Sequence, residues 1–260
     1  MTGASGVPSG VSARRMVDVD VTRSRPRTRL LGDDPQPWLR TAAPFLLASV
    51  LLVLVSGGVL VVAWSPQVAE PGSAPVAALR WFDVNSERNV PTAWSTFLLL
   101  ASAVTAGLLA LGRARGRLGW LLVSAAAAYL ALDESLELHE RLNDVGRTLT
   151  DDRVHFAWVV PGAVAAAAVG LVLLRQLRSQ SAEVRRRLVL AGGVYLSGAV
   201  VVEVVSGQVL RAVGGGRAYV LVTSVEEGLE MAGAALLLAA LLCELREVRR
   251  SRAASAAARA

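Results

Sequence analysis

The sequence predicts an all-α protein, a bundle of six transmembrane helices with both termini in the cytoplasm. Three observations predict this fold. The chain of 260 residues is 53% hydrophobic and 18% charged, whereas charged residues make up about 25% of a typical soluble domain. Its apolar residues lie in six blocks, each long enough to cross a bilayer core of about 30 Å. All 27 basic residues are arginine, and 20 of them fall on one side of the alternating blocks.

The elements follow in order along the chain. Residues 1–40 are polar, without helical or strand periodicity, which predicts a disordered, Arg-rich cytoplasmic tail. Residues 41–246 form the predicted six-span transmembrane helical domain, and residues 247–260 form a second cytoplasmic tail. The predicted spans are 42–64, 93–111, 118–138, 156–174, 188–208 and 218–243. Because the Arg-rich side faces the cytoplasm in membrane proteins, we expect a multi-pass protein of the inner (plasma) membrane.

Small residues recur at four-residue spacing in the later spans, as in Gly193 with Ser197 and Gly228 with Ala232. Such rows allow helix backbones to approach closely in lipid. We therefore expect these rows to form helix contacts. A single cysteine, Cys243, excludes an internal disulfide.

The arginines lie in short segments that flank the spans, and no soluble domain presents them. Anionic lipid headgroups on the Arg-rich side of the bilayer are therefore the expected partner. Nucleic acid, the usual alternative for a basic protein, is not expected.

Acidic residues of three predicted spans fall at one depth near the outer surface. At about 1.5 Å per residue, the acids of the third span lie roughly 23 Å from its cytoplasmic end, and those of the other two reach a similar level. Carboxylates in a membrane face the bundle interior or water, and they mark ion, proton or ligand sites. Close together they repel, so a cation or shared protons must hold them. The candidate residues for this site are Asp133, Glu134, Glu203, Glu226, Glu227 and Glu230.

Three functions are compatible with this layer. The first is a transporter-like protein that binds a small cation or relays protons. The second is a non-catalytic membrane subunit or scaffold, whose carboxylates are structural and pair with outer arginines such as Arg211 and Arg217 or with a partner's arginine. The third is a metal-dependent intramembrane enzyme with His139 as general base, for which no Ser, Cys or Thr nucleophile motif is evident.

A metal ligand set is a further hypothesis for the outer end of the third span. Carboxylates with histidine suit zinc, manganese or non-heme iron, and His139 with Glu140 are the candidate ligands for a divalent metal cofactor. The chain has two histidines, too few for a three-histidine zinc site. It also lacks the Glu-x-x-His pairs of di-iron bundles.

The first outer loop alternates Asp83, Asn85 and Glu87 like the start of a calcium loop, but Arg88 stands where that loop needs glycine. This departure disfavours calcium. Aromatic residues in the loop are typical of headgroup anchors, so the segment is expected to lie as a lid over the acidic layer.

Three segments carry a resemblance to a known family: Phe82-Asp83 through Asn89-Val90-Pro91-Thr92, Leu132-Asp133-Glu134 with His139-Glu140, and Glu226-Glu227-Gly228-Leu229-Glu230-Met231. Over residues 80 to 240 the chain resembles a family of small bacterial multipass membrane proteins that has no assigned activity. The resemblance implies signature positions at Asp133, Glu134, His139, Glu140, Glu226, Glu227 and Glu230. It names no chemistry.

Overall fold

The computed structural model describes residues 37–64, 74–112, 116–150 and 154–259, so residues 1–36 of the predicted tail lie outside the described residues. Within those ranges every regular element is a helix and no strand occurs. The α-helices are α1 (Pro37–Ala63), α2 (Ala74–Phe82), α3 (Val90–Gly112), α4 (Arg117–Leu136), α5 (Asn143–Thr150), α6 (Val159–Gln176), α7 (Ala182–Leu196), α8 (Glu203–Val213) and α9 (Arg217–Ala257). A π-helical segment, Ser197–Val202, joins α7 to α8.

Each predicted span coincides with helical structure. Among the described residues, five helical stretches are long and apolar enough to cross a membrane: α1, α3, α6 with its following turn, α7 through α8, and α9. These five indicate a membrane protein. The remaining predicted span corresponds to α4, which is 20 residues long but carries Asp133 and Glu134 in its last turns. Helix α9 continues to Ala257, through most of the segment predicted as the second tail.

Helix α9 is the centre of the bundle, and it packs against α1, α3 and α7, while α3 packs along α4. Two apolar clusters fill the interior. One contains Leu98, Leu99 and Tyr195 midway along the helices. The other contains Trp120, Leu177 and other side chains at the end where α4 and α7 begin. Because lipid is as apolar as these side chains, close packing rather than escape from water holds such helices together.

The closest approach between α7 and α9 occurs at two glycines. A Cβ atom added to Gly233 would lie 2.5 Å from the Tyr195 backbone nitrogen, and one added to Gly198 would lie 2.6 Å from the Glu226 carbonyl oxygen. Ser197 and Ala232, which the spacing singled out, each stand one position before these glycines. A Cβ atom added to Gly193 would meet no atom of a neighbouring helix within 4 Å. The expectation that Gly193 mediates helix packing is therefore wrong. A four-residue pattern marks a row of small residues but does not tell which row faces another helix.

Candidate functional site

The first part of the candidate site is the end of α4. Glu137 adopts a left-handed backbone conformation with φ of 52° and donates its N–H to the Asp133 carbonyl at 2.8 Å. The reversal returns the chain toward α4, so the His139 backbone N–H donates to Asp133 Oδ1 at 2.8 Å. The ring atom Nδ1 of His139 lies 3.1 Å from Asp133 Oδ2. Asp133 thereby fixes both the backbone and the ring of His139.

His139 faces the other acids of the site. Burial of its ring disfavours the charged form, but the hydrogen bond and negative charge of Asp133, with Glu203 and Glu140, outweigh burial and raise the pKa of His139 above 6.5. The ring also packs against Trp158, with 4.6 Å between ring centroids. The positively charged form of His139 is thus favoured by the carboxyl groups beside it.

The second part of the site is Glu203, the first residue of α8. It follows the π-helical segment directly, and such segments occur frequently at functional sites. The Glu203 side chain is buried and its Oε1 accepts a hydrogen bond of 2.8 Å from Trp158 Nε1. The backbone N–H of Trp158 donates to Asn143 Oδ1 at 3.1 Å. A loop indole therefore holds a carboxyl group of the bundle interior.

The third part is the acidic segment of α9, which contains Glu226, Glu227 and Glu230. Glu226 is 9% exposed, and among the described residues its Oε2 has no hydrogen-bond partner. The Ser206 hydroxyl lies within hydrogen-bonding reach of the Glu226 carboxyl group. The Tyr195 phenol stands in the same relation to Glu230. Polar groups of α7 and α8 thus meet the carboxyl groups of α9.

Charge interactions link the three parts. Glu203 interacts with Glu226 and with Asp133. Glu134, which lies close to the Ser95 hydroxyl of α3, interacts with both Glu227 and Glu230. The structure therefore brings together all six predicted carboxyl groups, and we call them the acidic cluster: Asp133, Glu134, Glu203, Glu226, Glu227 and Glu230. Among the described residues no arginine forms an ion pair with any of the six.

The loop between α2 and α3 covers the acidic cluster. The Asp83 carboxylate accepts hydrogen bonds from Asn85 and Ser86. The Asn89 side chain donates to the backbone carbonyls of Asp83 and Ser86. Its Oδ1 accepts from the Thr92 N–H and so caps the start of α3. The Asp83 carboxylate is therefore occupied in shaping the loop, in a way that needs no calcium.

This loop also supplies a seventh carboxyl group, Glu87, which the sequence reasoning did not select. Glu87 is exposed at the surface of the protein. Partial loss of water contact and the negative charge of Glu137 still raise the pKa of Glu87, and His139 acts in the opposite direction. The Glu87 charge interacts with Glu134 and Glu227 of the acidic cluster. The alternation of Asp83, Asn85 and Glu87 was the available signal, but it pointed to calcium rather than to the cluster.

The candidate metal ligands do not come together as a set. Across the described residues, no group of three His, Cys, Asp or Glu side chains has an arrangement that could hold a metal ion. His139 is engaged by Asp133, and Glu140 is exposed. His155 packs edge-on against Phe156 at 4.8 Å between ring centroids. The chemistry that the arrangement itself supports is the holding of protons or a weakly coordinated cation.

Comparison with known proteins gives a family but no activity. No curated protein and no solved structure matches the chain. A family model described as "Domain of unknown function (DUF8692)" matches residues 45–245, a range that contains Glu87, His139 and the whole acidic cluster. Because this match covers more than half of its residues, the chain belongs to the DUF8692 family.

Proposed function

We propose that this chain is a six-span protein of the inner (plasma) membrane whose acidic cluster binds protons, or a cation in their place, in a transporter-like cycle. In this arrangement α4 is the additional span and both termini are cytoplasmic. The acidic cluster then lies near the outer face, as the positive-inside rule requires for an Arg-rich opposite end.

The observation that carries the proposal is a group of six carboxyl groups that form no ion pair with an arginine of the described residues. Removing a carboxylate from water costs several kcal/mol unless a counter-charge or hydrogen bonds compensate. His139 supplies a single positive charge, and Glu226 Oε2 lacks any partner among the described residues. Bound protons or a bound cation supply the missing positive charge. A site of this kind exchanges its positive charge when the pH or the cation concentration changes.

The apolar core makes this site accessible from one face rather than from both. Helix α9 carries no ionisable side chain between Glu230 and Cys243, a distance of about 20 Å along the helix. Met231, Ala234 and Ala235 are fully buried in that stretch. An open pore is therefore disfavoured, and passage of a proton to the other side requires the helices to rearrange.

Proton flux in liposomes tests the proposal. We expect purified protein in vesicles with an imposed pH gradient to accelerate pH equilibration, read by an enclosed pH-sensitive dye. Single substitutions Glu226→Gln and Glu230→Gln should lower the rate at least tenfold, because each removes a proton-binding group. Glu247→Gln, on the exposed end of the same helix, is the matched control and should leave the rate unchanged.

A second experiment distinguishes proton binding from cation binding by the acidic cluster. Adding NaCl to weakly buffered, detergent-solubilised protein releases protons if the cation replaces them in the acidic cluster. Absence of proton release assigns the cluster to protons alone. If neither flux nor proton release differs between the native chain and Glu230→Gln, the acidic cluster has no such function.

A second candidate, a non-catalytic subunit with structural carboxyl groups, has its own support. The hydrogen bond from Trp158 to Glu203 joins separate parts of the bundle, and the Tyr195 phenol lies close to the Glu230 carboxyl group of another helix. For this candidate, Glu230→Gln lowers the thermal unfolding temperature and flux is absent in the native chain as well. Unchanged stability in the Gln variants counts against it.

A further inference from the structure

A groove lies at the other end of the molecule, between the C-terminal end of α6 and the start of α7. Its volume is about 610 Å³. The lining residues, which we call the arginine groove, are Leu174, Arg178, Ala182, Arg185, Arg186, Val189 and Leu190. Charged residues and apolar residues occupy different levels of this groove.

The charged level carries an excess of guanidinium groups. Arg185 Nη1 donates to the Gln180 carbonyl at 2.6 Å, which fixes Arg185 over the turn between the two helices. Glu183 accepts from Arg187 at 3.0 Å and from Arg186 at 3.4 Å. The Arg178 guanidinium is exposed and has no acceptor among the described residues. The three arginines that line the groove and Arg187 thus share one carboxylate, whose contact with Arg186 is the longer of the two. The excess positive charge of the groove attracts an anion.

The apolar level lies one helical turn away, about 5.4 Å along each helix. Leu174 precedes Arg178 by four residues, and Val189 and Leu190 follow Arg185 and Arg186 by four. These three apolar side chains are 45–53% exposed. The neighbouring helix α6 is also largely exposed, because 6% of its apolar stretch is buried against other parts of the protein. Apolar surface in this position lies against the acyl region of a bilayer, with the arginines at headgroup level.

We propose that the arginine groove binds one anionic phospholipid, with its phosphate on Arg178 and Arg186 and an acyl chain along Leu174, Val189 and Leu190. Guanidinium groups bind phosphate oxygens with strong, directional hydrogen bonds, and basic pockets between membrane helices bind anionic headgroups. The succession of charge and apolar surface matches a phospholipid better than a soluble phosphate. This proposal is independent of the function proposed for the acidic cluster.

Native mass spectrometry of the detergent-purified full chain tests the proposal. We expect one phosphatidylglycerol to be retained per chain, and phosphatidylcholine to be bound at least tenfold more weakly. The double substitution Arg178→Gln with Arg186→Gln should weaken phosphatidylglycerol binding about 30-fold, at about fivefold per arginine. Equal binding by the double variant and the native chain overturns the proposal.

A matched control distinguishes a defined site from diffuse charge attraction. Arg249 and Arg250 are exposed on α9 and do not line the groove. Arg249→Gln with Arg250→Gln removes the same charge and should leave phosphatidylglycerol retention within twofold of the native chain. An equal loss in both double variants overturns the proposal. Displacement of the lipid by an equal concentration of glycerol phosphate also overturns it, because the groove would then recognise a soluble phosphate.

Discussion

Asp133 is the main cause of the raised pKa of His139. The Asp133 carboxylate accepts hydrogen bonds from both the backbone N–H and the ring of His139. We predict that Asp133→Asn lowers the pKa of His139, because the amide supplies neither the negative charge nor the same acceptor. Nuclear magnetic resonance of ring-labelled histidine, recorded as a function of pH in detergent, measures this change.

The second histidine provides the control for that titration. His155→Gln leaves His139 as the sole labelled ring, so its titration is read without overlap and should match the native chain. An unchanged midpoint for His139 after Asp133→Asn contradicts the prediction.

The raised pKa of His139 also determines how this residue changes the folding stability of the protein with pH. The folded pKa of His139 lies above 6.5, so its contribution to stability is complete below pH 6.5 and is lost as pH rises through the folded pKa. The raised pKa of Glu87, from an ordinary value of 4.5, acts in the same sense, since the folded state holds the proton longer. Stability therefore decreases as the pH is raised, and Asp133→Asn should flatten this decrease above pH 6.5.

Trp158 has one polar contact that reaches the bundle interior. Its indole N–H donates to the buried Glu203 carboxyl group at 2.8 Å. Trp158→Phe keeps an aromatic ring against His139 but removes the donor, which should lower the free energy of unfolding by about 1–3 kcal/mol. Denaturant titration in mixed micelles, followed by circular dichroism, measures the loss.

Trp81 is the matched position for the Trp158 experiment, because it is 58% exposed. Trp81→Phe should change the unfolding free energy by less than about 0.5 kcal/mol. Similar values for the two variants would mean that the indole hydrogen bond to Glu203 adds nothing to stability.

At the level of helices, the α7 and α9 contact depends on Gly233. A Cβ atom there would lie 2.5–2.6 Å from the backbone of Tyr195, and backbone cannot move aside as a flexible side chain can. Gly233→Ala should therefore destabilise the protein by about 1–3 kcal/mol, the usual cost of overpacking. Thermal unfolding followed by tryptophan fluorescence checks this expectation.

Gly192 gives the opposite expectation for the same chemical change. It lies in α7, and a Cβ there meets no described atom within 4 Å. Since alanine favours helix over glycine by about 0.5–1 kcal/mol, Gly192→Ala should be neutral or slightly stabilising. A loss for Gly192→Ala equal to that for Gly233→Ala would show that glycine flexibility, not close packing, matters in these helices.

Hydropathy predicted the helices well and their interruptions poorly. The predicted spans correspond to α1, α3, α4, α6, α7 with α8, and α9, because runs of about 20 apolar residues have few alternatives in a membrane. The short helices α2 and α5 and the π-helical segment were not predicted. Their positions depend on local contacts, such as the Trp158 N–H on Asn143, that periodicity does not record. Of the small residues that the spacing named, Gly228 lies against α1, where an added Cβ would be 3.6 Å from Val53 Cγ2. The close approach of α7 and α9 falls instead at Gly198 and Gly233, one position from the named Ser197 and Ala232.

The sequence predicts the depth of each acidic residue in the membrane, because every helical residue adds about 1.5 Å along the helix axis. This count does not require knowledge of how the helices pack. Which side chain meets which could not be obtained this way. Glu87 lies in a loop whose course is set by the side chains of Asp83 and Asn89, so a helical count does not apply to it. The pairing of His139 with Asp133 depends on the left-handed turn at Glu137, a conformation that no residue type in the segment required.

For the molecule as a whole, the distribution of charge predicts its orientation. Arginines concentrate at the end where α7 begins and α9 finishes, and the acidic cluster with its covering loop lies toward the other end. If α4 crosses the bilayer, the number of spans is even and both termini face the Arg-rich side. If α4 does not cross, the termini lie on opposite sides. The position of the termini therefore tests the sixth span directly.

Cysteine labelling in intact cells reads that position. After Cys243→Ala removes the native thiol, single substitutions Ser9→Cys, Ser86→Cys and Ser255→Cys probe the first tail, the covering loop and the end of α9. We predict that a membrane-impermeant maleimide labels Ser86→Cys from outside, and labels the other two only after the cells are opened. Labelling of only one of Ser9→Cys and Ser255→Cys from outside would mean five spans. In that case α4 would bring Asp133 and Glu134 to the acidic cluster without crossing the bilayer, and the cluster would need access to water along α4 itself.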